Sequence, residues 1–362
     1  MRNEIAKDKG SSYDLIQDQG LREIVGEIAA DIEINKEYDD ASTKFNNPNI
    51  DPSHCVINDI ERSNIINVAN NLIDEKFLKF GIRPFRWPIR NVALMPPDDF
   101  MKKYTTNNSL PGAIFDNDNQ IIAIADYKIL PNFARNVIHE MLHAKMYISD
   151  ILRIDEIDKH RVGFETRATE REISHKKVKS LAGFFGKTEK KVIIKKRDYF
   201  VNLNEAIVED ITNEIYNKLL NECKEVKKQS DIIEKSDQEG ELRGYELGVW
   251  DYEGDGINHA LTVTSNFYNE LVDTYYLLVN KISKYSDQSI DEIKNLFERG
   301  AVTGNYLPIA KVICKEKSDD GVIKYNATLF RELGHATGLS KGIGDFKKFV
   351  DSLDNTLGLD KE

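Results

Sequence analysis

Apolar residues recur three and four positions apart in several stretches of the chain, which is the spacing of an amphipathic helix. These stretches occupy residues 15–34, 57–80, 133–147, 199–221, 264–285, 289–299 and 327–337. Gly81 and Pro84 end the second of them, and Pro131 and Asn132 precede the third. We therefore predict that helices dominate the chain, above all beyond about residue 222.

Three short apolar segments before residue 130 lack this helical spacing. Val92–Met95, Gly112–Phe115 and Gln120–Ala125 have the composition of strands, and a polar turn of alternating Asp and Asn separates the last two. A strand-rich region followed by helices is typical of an α+β domain. The predicted fold class is therefore α+β, with a mostly helical C-terminal part.

Charge is unevenly distributed along the 362 residues, a length that allows two domains. Residues 1–60 contain 13 Asp and Glu against 6 Lys and Arg, whereas residues 176–197 contain nine Lys and Arg and one Glu. We predict an acidic, loosely attached arm over 1–56, a domain over 57–221 with a basic insertion at 174–198, and a helical domain over 222–362.

Composition excludes several classes of protein. The net charge of -11 makes nucleic acid an unlikely partner, and the lysine runs of the basic insertion lack the interleaved aromatics that stack on bases. That insertion could attract an acidic partner, but a solvated hairpin or loop is the favoured interpretation. Three widely spaced cysteines and the absence of an apolar run of about 20 residues predict a cytoplasmic protein without a membrane partner.

The segment 137–144, VIHEMLHA, contains two histidines four residues apart with a glutamate between them. On a helix His139 and His143 share one face, so both imidazoles can bind a single ion. Glu140 lies beside them and can act as the base toward a zinc-activated water. The alternative is an ordinary helix with two exposed histidines, but the apolar flanks indicate a buried helix, where such polar residues need a reason.

Catalytic zinc typically takes three protein ligands. The best candidate for the third is Glu205, in the segment NEAIVE of another predicted helix, and Glu209 follows one turn later. Glu209 could then hydrogen-bond the second ring nitrogen of a ligating histidine and set its tautomer. Taken alone, the two glutamates could equally form a solvated acidic face.

Together these two motifs, H-E-x-x-H and a later N-E-x-x-x-E, resemble those of the gluzincin metallopeptidases. The resemblance implies a zincin-like small sheet with an active-site helix in residues 57–221, Zn²⁺ as the cofactor and a peptide or protein as the substrate. It also implies that an extended substrate pairs with the backbone around Gly112 and Ala113. Gluzincins usually stabilise the oxyanion with a His or Tyr, for which His259 is the best-placed candidate.

Two functions from different classes follow from these residues. The first is zinc-dependent hydrolysis of peptide bonds with Glu140 as the general base. The second is a non-catalytic regulatory or interaction module on a zincin scaffold. A non-catalytic module has no use for Glu140, so its presence favours the enzyme.

Overall fold

The chain is described by a computed structural model. It covers residues 55–57, 59–104, 112–116, 119–126, 129–153, 156–177, 188–238, 249–251, 260–262, 266–317, 323–325, 327–338 and 341–357. The helix predicted over 15–34 and most of the acidic arm lie outside these residues, as does His259.

The first sheet is small and mixed. Its strands are β1 (Cys55–Val56), β2 (Val92–Met95), β3 (Ala113–Asp116) and β4 (Ile121–Ala125). Their order in the sheet is β1-β2-β4-β3, with β2 and β4 parallel and the other pairs antiparallel. Every residue of β4 is buried, because the strand lies inside the sheet, whereas β3 forms an edge. The three predicted strands correspond to β2, β3 and β4.

Helices cover this sheet. They are α1 (Ile60–Leu78), α2 (Pro97–Tyr104), α3 (Leu130–Lys145) and α4 (Val201–Glu222). Pro131 stands in the first turn of α3, where a missing N–H costs no helical hydrogen bond. Helix α3 packs against β3 and β4 on one side and against α1 and α4 on another. Helix α3 therefore lies between the first sheet and the helices α1 and α4.

A second sheet, not predicted as such, lies in the chain between α3 and α4. Its strands β5 (Ile148–Arg153), β6 (Glu156–Val162), β7 (Glu165–Lys177) and β8 (Thr188–Tyr199) pair in chain order and are all antiparallel. The described residues of the predicted basic insertion at 174–198, which are 174–177 and 188–198, lie in the paired strands β7 and β8. These residues thus form antiparallel strands rather than a loop.

The remainder is mainly helical. Its helices are α5 (Lys224–Gln238), α6 (Asn266–Ser286), α7 (Ile290–Thr303), α8 (Leu307–Cys314), α9 (Ala327–Ala336) and α10 (Ile343–Leu357). Two small hairpins accompany them, β9 (Val249–Asp251) with β10 (Ala260–Thr262) and β11 (Lys315–Lys317) with β12 (Ile323–Tyr325). Of the described helices, none combines the length and the apolar character needed to cross a bilayer.

Helix α6 packs along α4 and is itself covered by α7 and α10. One continuous hydrophobic cluster runs from Ile57, before α1, to Leu353 in α10, so α4 is buried between the sheet side and the C-terminal helices. The fold is α+β, as predicted. Its functional consequence is that α4 has two buried faces, one toward α3 and one toward the C-terminal helices.

Candidate metal centre

Three side chains from α3 and α4 converge on a common point. His139 and His143 lie one turn apart on α3, and their Nε2 atoms are 3.2 Å from each other. Glu205 approaches from α4, with Oε2 3.4 Å from His139 Nε2 and Oε1 3.4 Å from His143 Nε2. Two imidazole nitrogens and a carboxylate therefore enclose one position.

These separations match the requirement of a metal ion. A tetrahedral ion with bonds of about 2.0–2.1 Å holds its ligand atoms about 3.3 Å apart. The distance of 3.2 Å between the two Nε2 atoms is within 0.1 Å of that separation, and so are the 3.4 Å distances from each Nε2 atom to its nearer oxygen of the Glu205 carboxylate. Two histidines and one glutamate also form a donor set that zinc accepts, although other divalent first-row metals bind such ligands too. His139, His143 and Glu205 thus fit a bound metal ion.

The charges around this point favour a cation. Burial alone would raise the pKa of Glu205, but His143 and His139 beside it hold that pKa well below its usual value. Burial would lower the pKa of both imidazoles, yet the neighbouring carboxylates raise both, most strongly for His139. No lysine or arginine in the described part of the chain forms an ion pair with Glu205. Positive charge is therefore drawn to this position, as protons on the histidines or as a metal ion.

The beginning of α4 fixes where Glu205 stands. Phe200, just before the helix, has a left-handed backbone with φ of 58°. The buried Asn204 accepts a hydrogen bond at 2.9 Å from the Phe164 N–H, in the turn between β6 and β7. Gly163 in that turn has φ of +57°, and a Cβ there would lie 2.5 Å from Asn204 Oδ1. The second sheet therefore anchors the first turn of α4 next to Glu205.

A second carboxylate supports His139 from behind. Glu209, one turn after Glu205, places Oε2 3.2 Å from His139 Nδ1 and is 5% exposed as a residue. A carboxylate only accepts hydrogen bonds, so Nδ1–H donates, and in the neutral ring this leaves the Nε2 lone pair facing the candidate metal position. Glu209 also accepts a hydrogen bond from Arg135. Burial opposes ionisation of Glu209, but His139 and Arg135 keep its pKa below the usual value.

The predicted general base lies between the histidines and the edge strand. Glu140 is partly buried, and its carboxylate accepts a hydrogen bond from the Phe115 backbone N–H of β3. Burial raises the pKa of Glu140 above its usual value, whereas His139, His143 and the Phe115 N–H act in the opposite direction. A carboxyl group held next to the candidate metal position is placed to exchange a proton with a group bound there.

Within the described part of the chain, strand β3 has no neighbouring strand on its outer edge, which lies beside this site. The Gly112 carbonyl accepts a hydrogen bond at 2.9 Å from the Ala125 N–H, which makes this pair a hydrogen-bonded one. Hydrogen-bonded pairs alternate along an antiparallel ladder, so the Ala113 and Phe115 backbone groups point away from β4. The bond from Phe115 to Glu140 agrees with that direction. Of the two predicted substrate-binding positions, Ala113 presents its backbone outward, while the Gly112 carbonyl is used within the sheet.

A tyrosine from the C-terminal helices completes the surroundings. Tyr268, in the first turn of α6, lies edge-on to His139 with ring centres 5.6 Å apart. Burial, followed by the charges of Glu205, Glu140 and Glu209, raises the pKa of Tyr268 well above its usual value. The phenol therefore stays protonated at neutral pH and can donate a hydrogen bond.

The structure brings five of the sequence-predicted residues into one site: the two histidines and three glutamates. Reasoning from sequence did not assign Tyr268 or Arg135 to it. Arg135 had a local signal, since it precedes His139 by four residues and so occupies the same helix face. Tyr268 had none, because only the packing of α6 on α4 brings it near. His259, the predicted oxyanion residue, lies outside the described residues.

Comparison with known proteins adds no family to this geometry. No protein-family model, no curated protein and no solved structure matches the chain.

Proposed function

We propose that the protein is a zinc-dependent peptidase of the gluzincin type, with His139, His143 and Glu205 as metal ligands. One observation carries the proposal: two imidazole nitrogens of one helix lie 3.2 Å apart and each lies 3.4 Å from an oxygen of the Glu205 carboxylate on a second helix, with Glu140 beside them. A structural metal site has no need of a carboxylate that stands next to the ligands with a raised pKa.

Each group has a part in peptide hydrolysis. When bound, zinc would polarise a carbonyl oxygen and lower the pKa of a nearby water. Glu140 takes a proton from the attacking water and delivers it to the leaving amine. The Phe115 N–H holds one side of this carboxylate, which keeps Glu140 next to the edge strand. Glu209 orients His139 through Nδ1.

The free edge of β3 is suited to bind an extended peptide. The Ala113 N–H and C=O and the Phe115 C=O face away from β4 and can form ladder hydrogen bonds with a substrate strand. Such pairing would align the substrate backbone beside Glu140. Tyr268 takes the role that the sequence assigned to His259, because its protonated hydroxyl can donate to a developing oxyanion.

The decisive experiment combines metal content with catalysis. Purified protein is expected to contain one zinc per chain by mass spectrometry of the metal, and to cleave members of a broad peptide library. Glu140→Gln is nearly isosteric and is not a ligand, so it should retain the zinc and lose hydrolysis by at least about 100-fold, the usual scale for general-base catalysis.

Two outcomes separate the alternatives. Zinc binding without detectable hydrolysis in either form would favour the non-catalytic regulatory or interaction module. Equal hydrolysis by the wild type and Glu140→Gln would remove Glu140 from the mechanism. As a control, Glu75→Gln changes a glutamate of α1 that has no part in the site and should affect neither readout.

A further inference from the structure

Arg135 extends the row of site residues on α3 by one turn. It precedes His139 by four residues, as His139 precedes His143, so the three share one helix face. Its guanidinium donates to Glu209 Oε1, while Glu209 Oε2 accepts from His139 Nδ1 at 3.2 Å. One carboxylate of α4 thus divides its two oxygens between an arginine and a histidine of α3.

The guanidinium also rests on an aromatic ring of α4. Arg135 Cζ lies 5.3 Å from the ring centre of Tyr216, whose hydroxyl is 3.3 Å from Ser230 Oγ in α5. Both Tyr216 and Ser230 are buried. An arginine that stacks on a ring while its planar fork meets a carboxylate is strongly constrained in orientation. Arg135 therefore offers the Glu209 carboxylate a hydrogen-bond donor that is itself held in one orientation.

We propose that Arg135 is a positioning residue of the metal centre. It fixes the orientation of Glu209, which accepts the Nδ1 proton of His139 and so directs the His139 Nε2 lone pair toward the metal. The inference rests on the proposed function in one respect, because it requires that His139 binds zinc.

The loss of Arg135 should change the affinity for a metal ion in opposite directions, depending on whether this residue acts by its charge or by its orientation of Glu209. If Arg135 acts only as a positive charge, its removal takes one cation away from Glu209 and increases the attraction of the site for a divalent cation. If Arg135 acts by orientation, its removal frees the Glu209 carboxylate to rotate and weakens the support of a ligating histidine. Loss of such a supporting partner typically costs about 10–100-fold in metal affinity. The direction of the change therefore distinguishes the two roles.

The other face of α4 provides a matched control. Lys294 pairs with Asp210 at 2.8 Å, and the exposed side-chain fractions are 22% and 7%, the same as for Arg135 and Glu209. Lys294→Met should therefore disturb the fold about as much as Arg135→Met. It should leave the metal centre unchanged.

Zinc affinity of the full chain is measured by competition with a chromogenic chelator. We expect Arg135→Met to bind zinc about 10-fold more weakly than the wild type and Lys294→Met to bind it as the wild type does. Arg135→Lys keeps a donor for Glu209 without the planar fork and should recover part of the affinity. If Arg135→Met does not fold, a loss in Arg135→Lys smaller than in Glu209→Ala supports the proposal, and no loss in Arg135→Lys contradicts it.

The tautomer of His139 provides a second readout that needs neither zinc nor substrate. Nitrogen NMR of the metal-free protein, recorded at a pH high enough for the His139 ring to be neutral, should show His139 protonated at Nδ1 in the wild type, and this preference should weaken in Arg135→Met. Unchanged or tighter zinc binding in Arg135→Met, or an equal loss in Lys294→Met, would overturn the proposal. A wild type that binds no zinc would instead refute the proposed function itself.

Discussion

The two buried faces of α4 use the same kind of residue in opposite ways. Glu205 and Asp210 are five residues apart, which turns their side chains by about 140° around the helix axis. Glu205 faces the histidines of α3, whereas Asp210 faces Lys294, whose Nζ is 2.8 Å from its Oδ2. Both carboxylates are surrounded by packed helices, so both need a positive partner.

The partners differ in one decisive way. On the C-terminal side the positive charge belongs to the chain: Lys294 pairs with Asp210, and Lys76 bridges Glu214 and Glu298 at 2.5 and 2.9 Å. On the α3 side Glu205 meets imidazole nitrogens that can bind a metal as neutral donors. The lysines already neutralise the first face, whereas the nitrogen and oxygen atoms of the second face converge on a point where a cation could bind.

The largest effect expected from this comparison comes from replacing Glu205 or Asp210, one at a time, with alanine. Glu205→Ala should lower zinc affinity by more than about 100-fold, beyond the range seen for supporting partners. Asp210→Ala should leave zinc affinity unchanged but lower the free energy of unfolding by about 3 kcal/mol, because Lys294 loses its buried partner. Chelator competition measures the affinity, and urea unfolding in the presence of EDTA measures the stability. Loss of zinc in Asp210→Ala would mean that the two faces are not independent.

Two tyrosines of α6 provide a second test of the difference between the two faces of α4, one through catalysis and the other through stability. Tyr268→Phe removes the phenol beside His139 and should reduce kcat by about 100-fold, as loss of one oxyanion donor does, with stability unchanged. Tyr276 donates to Asp210 Oδ1 at 2.7 Å, so Tyr276→Phe should cost about 1.5 kcal/mol of stability and leave kcat unchanged. Steady-state cleavage of a fluorogenic peptide and urea unfolding provide the two measurements. Normal kcat in Tyr268→Phe would leave the oxyanion donor unassigned.

The smallest expected effect concerns the glutamates one turn further along α4. Glu209→Ala should weaken zinc binding about 10–100-fold, because His139 loses the acceptor of its Nδ1 proton. Glu214→Ala, on the lysine side, should bind zinc as the wild type does. The same chelator titration ranks all four α4 variants. If Glu209→Ala and Glu214→Ala bind zinc equally well, Glu209 does not support His139.

Local contacts could be predicted from the sequence because helical spacing alone determines them. The four-residue step between His139 and His143 and the step between Glu205 and Glu209 place each pair on one face of its own helix, whatever the rest of the chain does. Strand β2 was predicted at its observed bounds, and the bounds of α4 differ from the prediction by one or two residues. The position of Glu140 beside its histidine is equally local.

Contacts between elements were decided only by the tertiary structure. The four-stranded sheet of β5 to β8 was not predicted, because lysine-rich strands lack a clear apolar alternation, yet its β6–β7 turn anchors α4. The 61 residues between His143 and Glu205 allow many possible distances between these two side chains. The packing of α4 on α3 brings His143 and Glu205 into contact.

The sequence by itself therefore determined which residues of this protein could bind a metal, because ligand type and helical spacing are properties of a single segment. The tertiary structure decided which carboxylates meet histidines and which meet lysines, and it brought Tyr268 to the metal side. The physical reason is that a buried carboxylate must be neutralised by whatever faces it. What faces it depends on how helices distant in the chain pack around α4.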